Sequence, residues 1–223
     1  MNALAITETS LLNDVERLRM LSHNVANATT PGYRRDIAVS HSFETRLSDA
    51  LDRTQGAMRY SANPLDVALE GDGFLVLGSA AGPVLTRQGG LRLDATGRLV
   101  GANGGAVLGT AGEIVLSQPD PRIDQTGNVW EGDRLAGTLR IVRLAAEDAI
   151  VSLGNGLYAA DTAQLQDVEL PRLRQGYVEA SNVVPMREMV RLIETMRHFE
   201  AGQRVLRSHD DMMDRALSLL GEP

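Results

Sequence analysis

The four histidines, at positions 23, 41, 198 and 209, are the residues of this chain best suited to acid–base or metal chemistry. None falls into HExxH or another metal-ligand spacing. His209, Asp210 and Asp211 are adjacent, but on a long helix such a run reads as a solvated or interfacial face. Gly71-Asp72-Gly73-Phe74 opens like a dinucleotide-binding turn, yet it lacks the third glycine, and a strand-like run follows where a pyrophosphate would need a helix N-terminus. Gly71 and Gly73 therefore read as a tight turn entering a strand. Glu70 with Asp72, or Glu147 with Asp148, are carboxylate pairs of the kind used as acid and base, but proximity in sequence assigns no role. The stretch 120–127 lacks the alternating oxygens of a calcium loop, and GxSxG is absent. The chain has no Cys, and all 22 of its basic residues are Arg, so thiol catalysis, Schiff-base chemistry and a lysine P-loop are excluded. The residues point to no catalytic, cofactor or metal site.

Composition narrows the partners. A net charge of -7 and only 8 aromatic residues argue against nucleic acid, whose binding relies on clustered positive charge and stacking. With 43% hydrophobic and 23% charged residues, the 223-residue chain is expected to fold as a soluble protein. No apolar run approaches 18 residues, so no membrane insertion is expected. The first ten residues carry Glu8 and no basic residue, which does not read as a cleavable signal peptide.

Stepping outward from these residues, the glycines mark the architecture: 18 of 22 lie between Gly56 and Gly156. There, short apolar runs alternate with turn clusters such as Asp94-Ala95-Thr96-Gly97 and Gln125-Thr126-Gly127-Asn128, the pattern of an antiparallel all-β body. The N-terminal stretch instead spaces Leu4, Leu11, Val15, Leu18, Leu21, Val25 and Ala28 as one helical stripe. It ends at Thr30-Pro31-Gly32, because Pro31 pushes Thr30 out of the helical region. A second stripe runs through Met189, Ile193, Met196, Phe199, Gln203, Leu206, Asp210, Met213, Leu217 and Leu220. Ser181 or Asn182 is positioned to cap this helix, and Pro185 suits its first turn. Gly202 is its one internal breaker, at about 1 kcal/mol relative to Ala. Long stripes of this kind are stable only when covered, so the termini are expected to pack on each other, on neighbours, or both. The fold class expected is α+β: N- and C-terminal helices pairing as a coiled-coil or bundle stem, with an all-β middle domain.

Four blocks of the chain resemble the axial rod and hook proteins of the bacterial flagellum. They are Ala26-Asn27-Ala28-Thr29-Thr30-Pro31-Gly32-Tyr33-Arg34; Leu65-Asp66-Val67-Ala68-Leu69-Glu70-Gly71-Asp72-Gly73-Phe74; Leu85-Thr86-Arg87-Gln88-Gly89; and Gly176-Tyr177-Val178-Glu179-Ala180-Ser181-Asn182-Val183. With Glu188-Met189-Val190 and Phe199-Glu200 they span nearly the whole length in the family's order. Leu85, where the family usually has an aromatic, and Gly90-Leu91, where Phe often follows the glycine, depart from the pattern. The single compact middle fits the F-type proximal rod subunit or the distal one, and Ala106-Val107-Leu108-Gly109 with the short length favours the proximal.

The resemblance implies a structural subunit with no cofactor and no catalysis, exported without a cleavable signal through the flagellar type III apparatus. It implies helical polymerisation with itself and with other proximal and distal rod subunits into the periplasm-spanning shaft of the basal body. Residues 1–32 and 183–223 would form the stem, 33–65 a connecting arm, 66–160 the β body and 161–182 a return segment. Assembly contacts are expected at Leu11, Val15, Leu18, Leu21, Val25, Asn27, Met189, Ile193, Met196, Leu206, Met213 and Leu217, with Pro31, Gly32 and Tyr33 setting the exit from the stem. A finite coiled-coil adaptor with a β-rich binding head, and a wall-acting hydrolase with converging carboxylates, are the competing readings.

Overall fold

The computed structural model describes residues 3–40, 47–80, 82–145 and 150–220. His41, Glu147 and Asp148, and the side chains of Leu4, Leu217 and Leu220, lie outside the described residues. The chain opens with helix α1 (Ala3–Ala26) and closes with helix α2 (Pro185–Leu220). Between them come β1 (Asp36–Ser40), β2 (Leu47–Leu51), β3 (Met58–Tyr60), β4 (Val67–Glu70), β5 (Phe74–Leu77) and β6 (Val84–Thr86). The short β7 (Arg92–Leu93), β8 (Leu99–Val100), β9 (Leu108–Gly109), β10 (Gly112–Glu113) and β11 (Arg122–Ile123) follow. The remainder are β12 (Asn128–Glu131), β13 (Arg134–Thr138), β14 (Ile141–Leu144), β15 (Ile150–Gly154), β16 (Leu157–Ala160), β17 (Leu165–Asp167), β18 (Arg172–Gln175) and β19 (Tyr177–Glu179).

Two compact units result, one from the described parts of 1–26, 36–50 and 184–223, the other from 27–35 and 51–183. In the second unit, the body, a six-stranded antiparallel sheet runs in the order β15-β16-β6-β5-β14-β17. Both faces of its central strands β5 and β6 are covered. Alternate side chains of β5 go to opposite cores, Leu75 and Leu77 packing with Val67, Leu99, Val107 and Ile141, Phe74 and Val76 with Leu85, Val142 and Tyr158. That explains why Phe74-Leu75-Val76-Leu77 is a continuous apolar run rather than an alternating one.

The two Asp-x-Thr-Gly turns fold alike. Asp94 Oδ1 accepts from the N–H groups of Thr96 and Arg98 and from the Thr96 hydroxyl, and Asp124 Oδ1 accepts from Thr126 and Asn128 in the same way, at 2.7–3.0 Å. Hydrogen bonds, those of Thr96 foremost, hold Asp94 well below the usual carboxylate range. Burial pushes Asp124 upward, but bonds from Thr126, Asn128 and Trp130 outweigh it and leave that carboxyl low as well.

Segment 33–65, expected as a connecting arm, is divided: β1 belongs to the helical unit and β3 to the body. Segment 161–182, expected as a return, supplies β17, β18 and β19, which pair antiparallel with β14, β4 and β3. These strands are three or four residues long and together more than half polar, so no apolar alternation marks them; backbone pairing orders them, and Leu173 of β18 reaches the core. The first helix stops two residues before Ala28, and the second starts at Pro185 as the sequence predicts.

Candidate functional site

The four signature blocks, far apart in sequence, meet at one corner of the body. Gly32 has φ +68°, and its N–H donates to the Glu179 carbonyl at 2.8 Å. A Cβ there would lie 2.4 Å from the Arg87 carbonyl carbon, so both the left-handed backbone and the close approach require glycine. Two residues on, the buried Arg34 reaches Glu179 Oε1 at 3.0 Å and donates to the carbonyls of Arg53 and Thr54. From the third block, Arg87 grips Glu179 Oε2 through Nε at 2.9 Å and Nη2 at 2.5 Å. Its remaining donors go to the carbonyls of Gly71 and Gly73, both at 2.7 Å, and Leu69 at 3.1 Å, which belong to the second block. Glu179 also accepts from the Gly56 N–H at 3.0 Å.

This Arg34–Glu179–Arg87 triad is 1–4% exposed and carries two cations on one anion. Burial, then the neighbouring Arg87 charge, push the Arg34 guanidinium below its ordinary value, while Glu179 works in the opposite sense. The charges are sustained by charge-assisted bonds to backbone carbonyls. Tyr158, fully buried on β16 and edge-on to Phe74, accepts the Arg34 N–H at 3.0 Å. Asn182 closes the corner, accepting from the Arg35 N–H at 2.7 Å and donating to the carbonyls of Asp52 and Thr54. Its expected role as a helix cap is thereby corrected, since its side chain is committed to these partners; Ser181 Oγ accepts from Val183. Tyr33 is buried, and Pro31 is exposed beside it. Asn27 shapes the turn after α1, its carbonyl accepting from Thr30 N–H at 3.0 Å and its Oδ1 from the Thr30 hydroxyl at 3.2 Å. Gly71 and Gly73 both have positive φ, and a Cβ on Gly73 would sit 3.0 Å from Ile141 and Leu69 side-chain carbons. The corner joins backbone segments, and its donors are spent on protein acceptors.

In the helical unit α1 and α2 lie antiparallel, with Leu11 opposite Gly202, Asp14 opposite His198 and Asn24 opposite Glu188. The residues of α2 shielded from solvent are Glu188, Leu192, Thr195, Phe199, Gly202 and Leu206, with Gln203 beside them. That is a 4-3-4-3-4 spacing, rotated by about one residue from the apolar stripe visible in the sequence. Small and polar residues make the close contact. A Cβ on Gly202 would lie 2.8 Å from Leu11 Cδ2, His198 Nδ1 meets the buried Asp14 carboxylate at 2.5 Å, and the Thr195 hydroxyl bonds back to the Arg191 carbonyl. Asn24, wholly buried, donates to the carbonyl of Asp36 at 2.8 Å and to Glu188 at 3.3 Å, and accepts the Asp36 N–H at 2.9 Å, clipping β1 to α1. In the sequence Glu188 figures only within the family match Glu188-Met189-Val190, with no role, and Asn24 not at all; a polar residue at helical spacing among apolar ones was the available signal.

Of the expected assembly residues, Leu21 is buried and Leu11, Leu18, Val25 and Leu206 are partly covered on the facing sides of the helices. Val15, Met189, Ile193, Met196 and Met213 are 45–52% exposed, and Met186 and Val190 join them on α2. His209 Nδ1 lies 3.9 Å from the exposed Asp210 carboxylate, and Glu70 pairs with Arg174. Among the described residues no three His, Asp or Glu gather as metal ligands, and no helix is long and apolar enough to cross a membrane.

A chain with one unit closed by its own polar knot and another, a helix pair, carrying a row of exposed apolar side chains has the character of an assembly subunit. Comparison with known proteins makes the class specific. Residues 174–219 match the family described as flagellar basal body rod FlgEFG protein C-terminal. The chain is 30% identical to the flagellar basal-body rod protein FlgF of Mesorhizobium japonicum over 92% of each chain, and 31% identical to that of Escherichia coli K12 over 88% of this chain and 89% of the relative. Flagellar basal-body rod protein FlgG of Buchnera aphidicola is 27% identical over 97% and 99%. The chain belongs to the flagellar basal-body rod protein family, as a structural rod subunit of the F type.

Proposed function

We propose that this chain polymerises helically as the proximal part of the rod, with the stem helices packed against those of neighbouring copies and of other rod subunits. The observation that carries the reading is the row Met186, Met189, Val190, Ile193 and Met196, exposed on a helix whose neighbouring face is already occupied by α1. An apolar row of this length is poorly matched to water, and fully burying each such residue contributes roughly 1.5–3 kcal/mol. Leu11, Leu18, Leu21, Val25 and Leu206 then serve the coiled-coil-like contact within the subunit, and Val15, Met189, Ile193, Met196 and Met213 the contacts between subunits. A contact between two different surfaces that does not close generates a filament. The stem would comprise the described parts of 1–26 and 184–223, which fall in the helical unit. A non-catalytic role accords with a signature corner whose charges are spent on one another. The test is complementation of a strain lacking the subunit with Met189→Asp/Ile193→Asp. The expected result is loss of motility and of incorporation into basal bodies, with the purified variant unfolding in urea at the wild-type midpoint. Normal motility of that variant would refute the reading.

A further inference from the structure

The body carries a second feature that the signature corner and the helix pair leave unused. Strands β11 and β18 border a groove of about 460 Å³ lined by Arg122, Ile123, Asp124, Leu173, Arg174 and Tyr177, with Gln125 and Gln175 beside them. Its apolar floor, Leu173 and Ile123, is buried. The floor is fixed by Gln175, whose amide donates to the carbonyls of Pro64 at 2.7 Å and Pro121 at 2.6 Å and accepts the Ile123 N–H at 3.1 Å. Two arginines form the walls, each stacked on an aromatic ring: Arg122 5.6 Å from the Trp130 centroid, Arg174 5.8 Å from that of Tyr177. Tyr60, 71% exposed, packs against Tyr177 at 5.2 Å. The body has six aromatic residues; Tyr33, Phe74 and Tyr158 are buried, and the other three are gathered here.

Stacking holds a guanidinium in place without using its N–H groups, so these arginines are preorganised and still able to donate. Arg174 pairs with Glu70, whereas Arg122 has no carboxylate partner among the described residues. Trp, Tyr and Arg around a desolvated apolar floor is the composition of a binding hot spot. Arg122 and Arg174 outnumber Asp124, the lining carboxylate, whose oxygens already accept from Thr126, Asn128 and Trp130, and on a chain of net charge -7 this balance selects an acidic partner.

We infer that the groove docks an acidic segment of a neighbouring protein subunit, an apolar side chain resting on Leu173 and Ile123 while flanking carboxylates engage Arg122 and Arg174. Only the description of the partner as a neighbouring subunit rests on the assembly reading above. The probe is the capped peptide Glu-Glu-Leu-Glu-Glu, titrated into the full chain. Trp130, the single tryptophan, reports binding through its emission, and anisotropy of a dye-labelled copy reports it in the variants. Saturable binding is expected, weakened about tenfold or more by Arg122→Ala and by Arg174→Ala and by raised salt. A Lys-Lys-Leu-Lys-Lys peptide should not bind. Absence of saturable binding, equal binding by both variants, or equal binding of the lysine peptide overturns the inference. In cells, Arg122→Glu/Arg174→Glu should reduce incorporation while retaining the wild-type urea midpoint. Full incorporation of this variant would overturn the groove as a subunit contact and leave the helix-face reading, tested separately by Met189→Asp/Ile193→Asp, intact.

Discussion

The body and the helix pair solve opposite problems. In the body, even the most expensive groups to bury, two guanidiniums and a carboxylate, are matched by Arg34, Arg87, Glu179 and a ring of carbonyls. In the helix pair, the contact within the chain is made by Glu188, Thr195 and Gly202, while Met189, Ile193 and Met196 stay in solvent. The first region is complete as a single copy. The second is completed by another molecule in the assembly proposed above. The difference teaches that the most recognisable residues of this family need not be its contact residues: the signature blocks hold one subunit together, and the assembly face proposed above is a less distinctive methionine-rich stripe.

The largest effect expected of breaking this contrast is Glu179→Ala, which strands two buried cations. It should cost the body about 3–5 kcal/mol, read from urea unfolding followed by Trp130 fluorescence. Gly32→Val comes next, because it forces a β-branched residue into positive φ and into the Arg87 backbone; a loss of at least about 2 kcal/mol is expected in the same assay. Acid should sharpen the distinction further. Asp94 and Asp124 have lowered folded-state values, so their stabilisation is fully present above the unfolded carboxylate value near 3.9 and is lost as pH falls below it. The body's urea midpoint should begin to drop below about pH 5 and keep dropping well below about pH 3, and drop less in Asp124→Ala. Smallest of all should be Ile193→Asp on the isolated chain, within about 0.5 kcal/mol of wild type, because the residue is half exposed.

Much of this architecture is legible in residue order. Glycine-marked turns announce the β body, Pro31 and Gly32 the end of the first helix, and Pro185 the start of the last. The knot is not legible by spacing, since Glu179 lies 92 and 145 positions from its two arginines and each charge alone reads as solvated. Nor does periodicity decide between two neighbouring faces of α2. Glu188 and Met189 differ by one position, and the choice between them falls to a close approach at Gly202 and to polar partners, Asp14 and Asn24, on another helix.

Because the chain has no cysteine, a single one can be placed without background. The most direct measurement is the rate at which maleimide labels Met189→Cys, in the purified chain and in isolated basal bodies that contain it. The account predicts rapid labelling of the free chain and strong protection in the basal body, with a Cys at the exposed Asp133 labelled in both. Equal labelling of Met189→Cys in the two states would contradict it, because the apolar face of α2 would then remain open in the assembled rod.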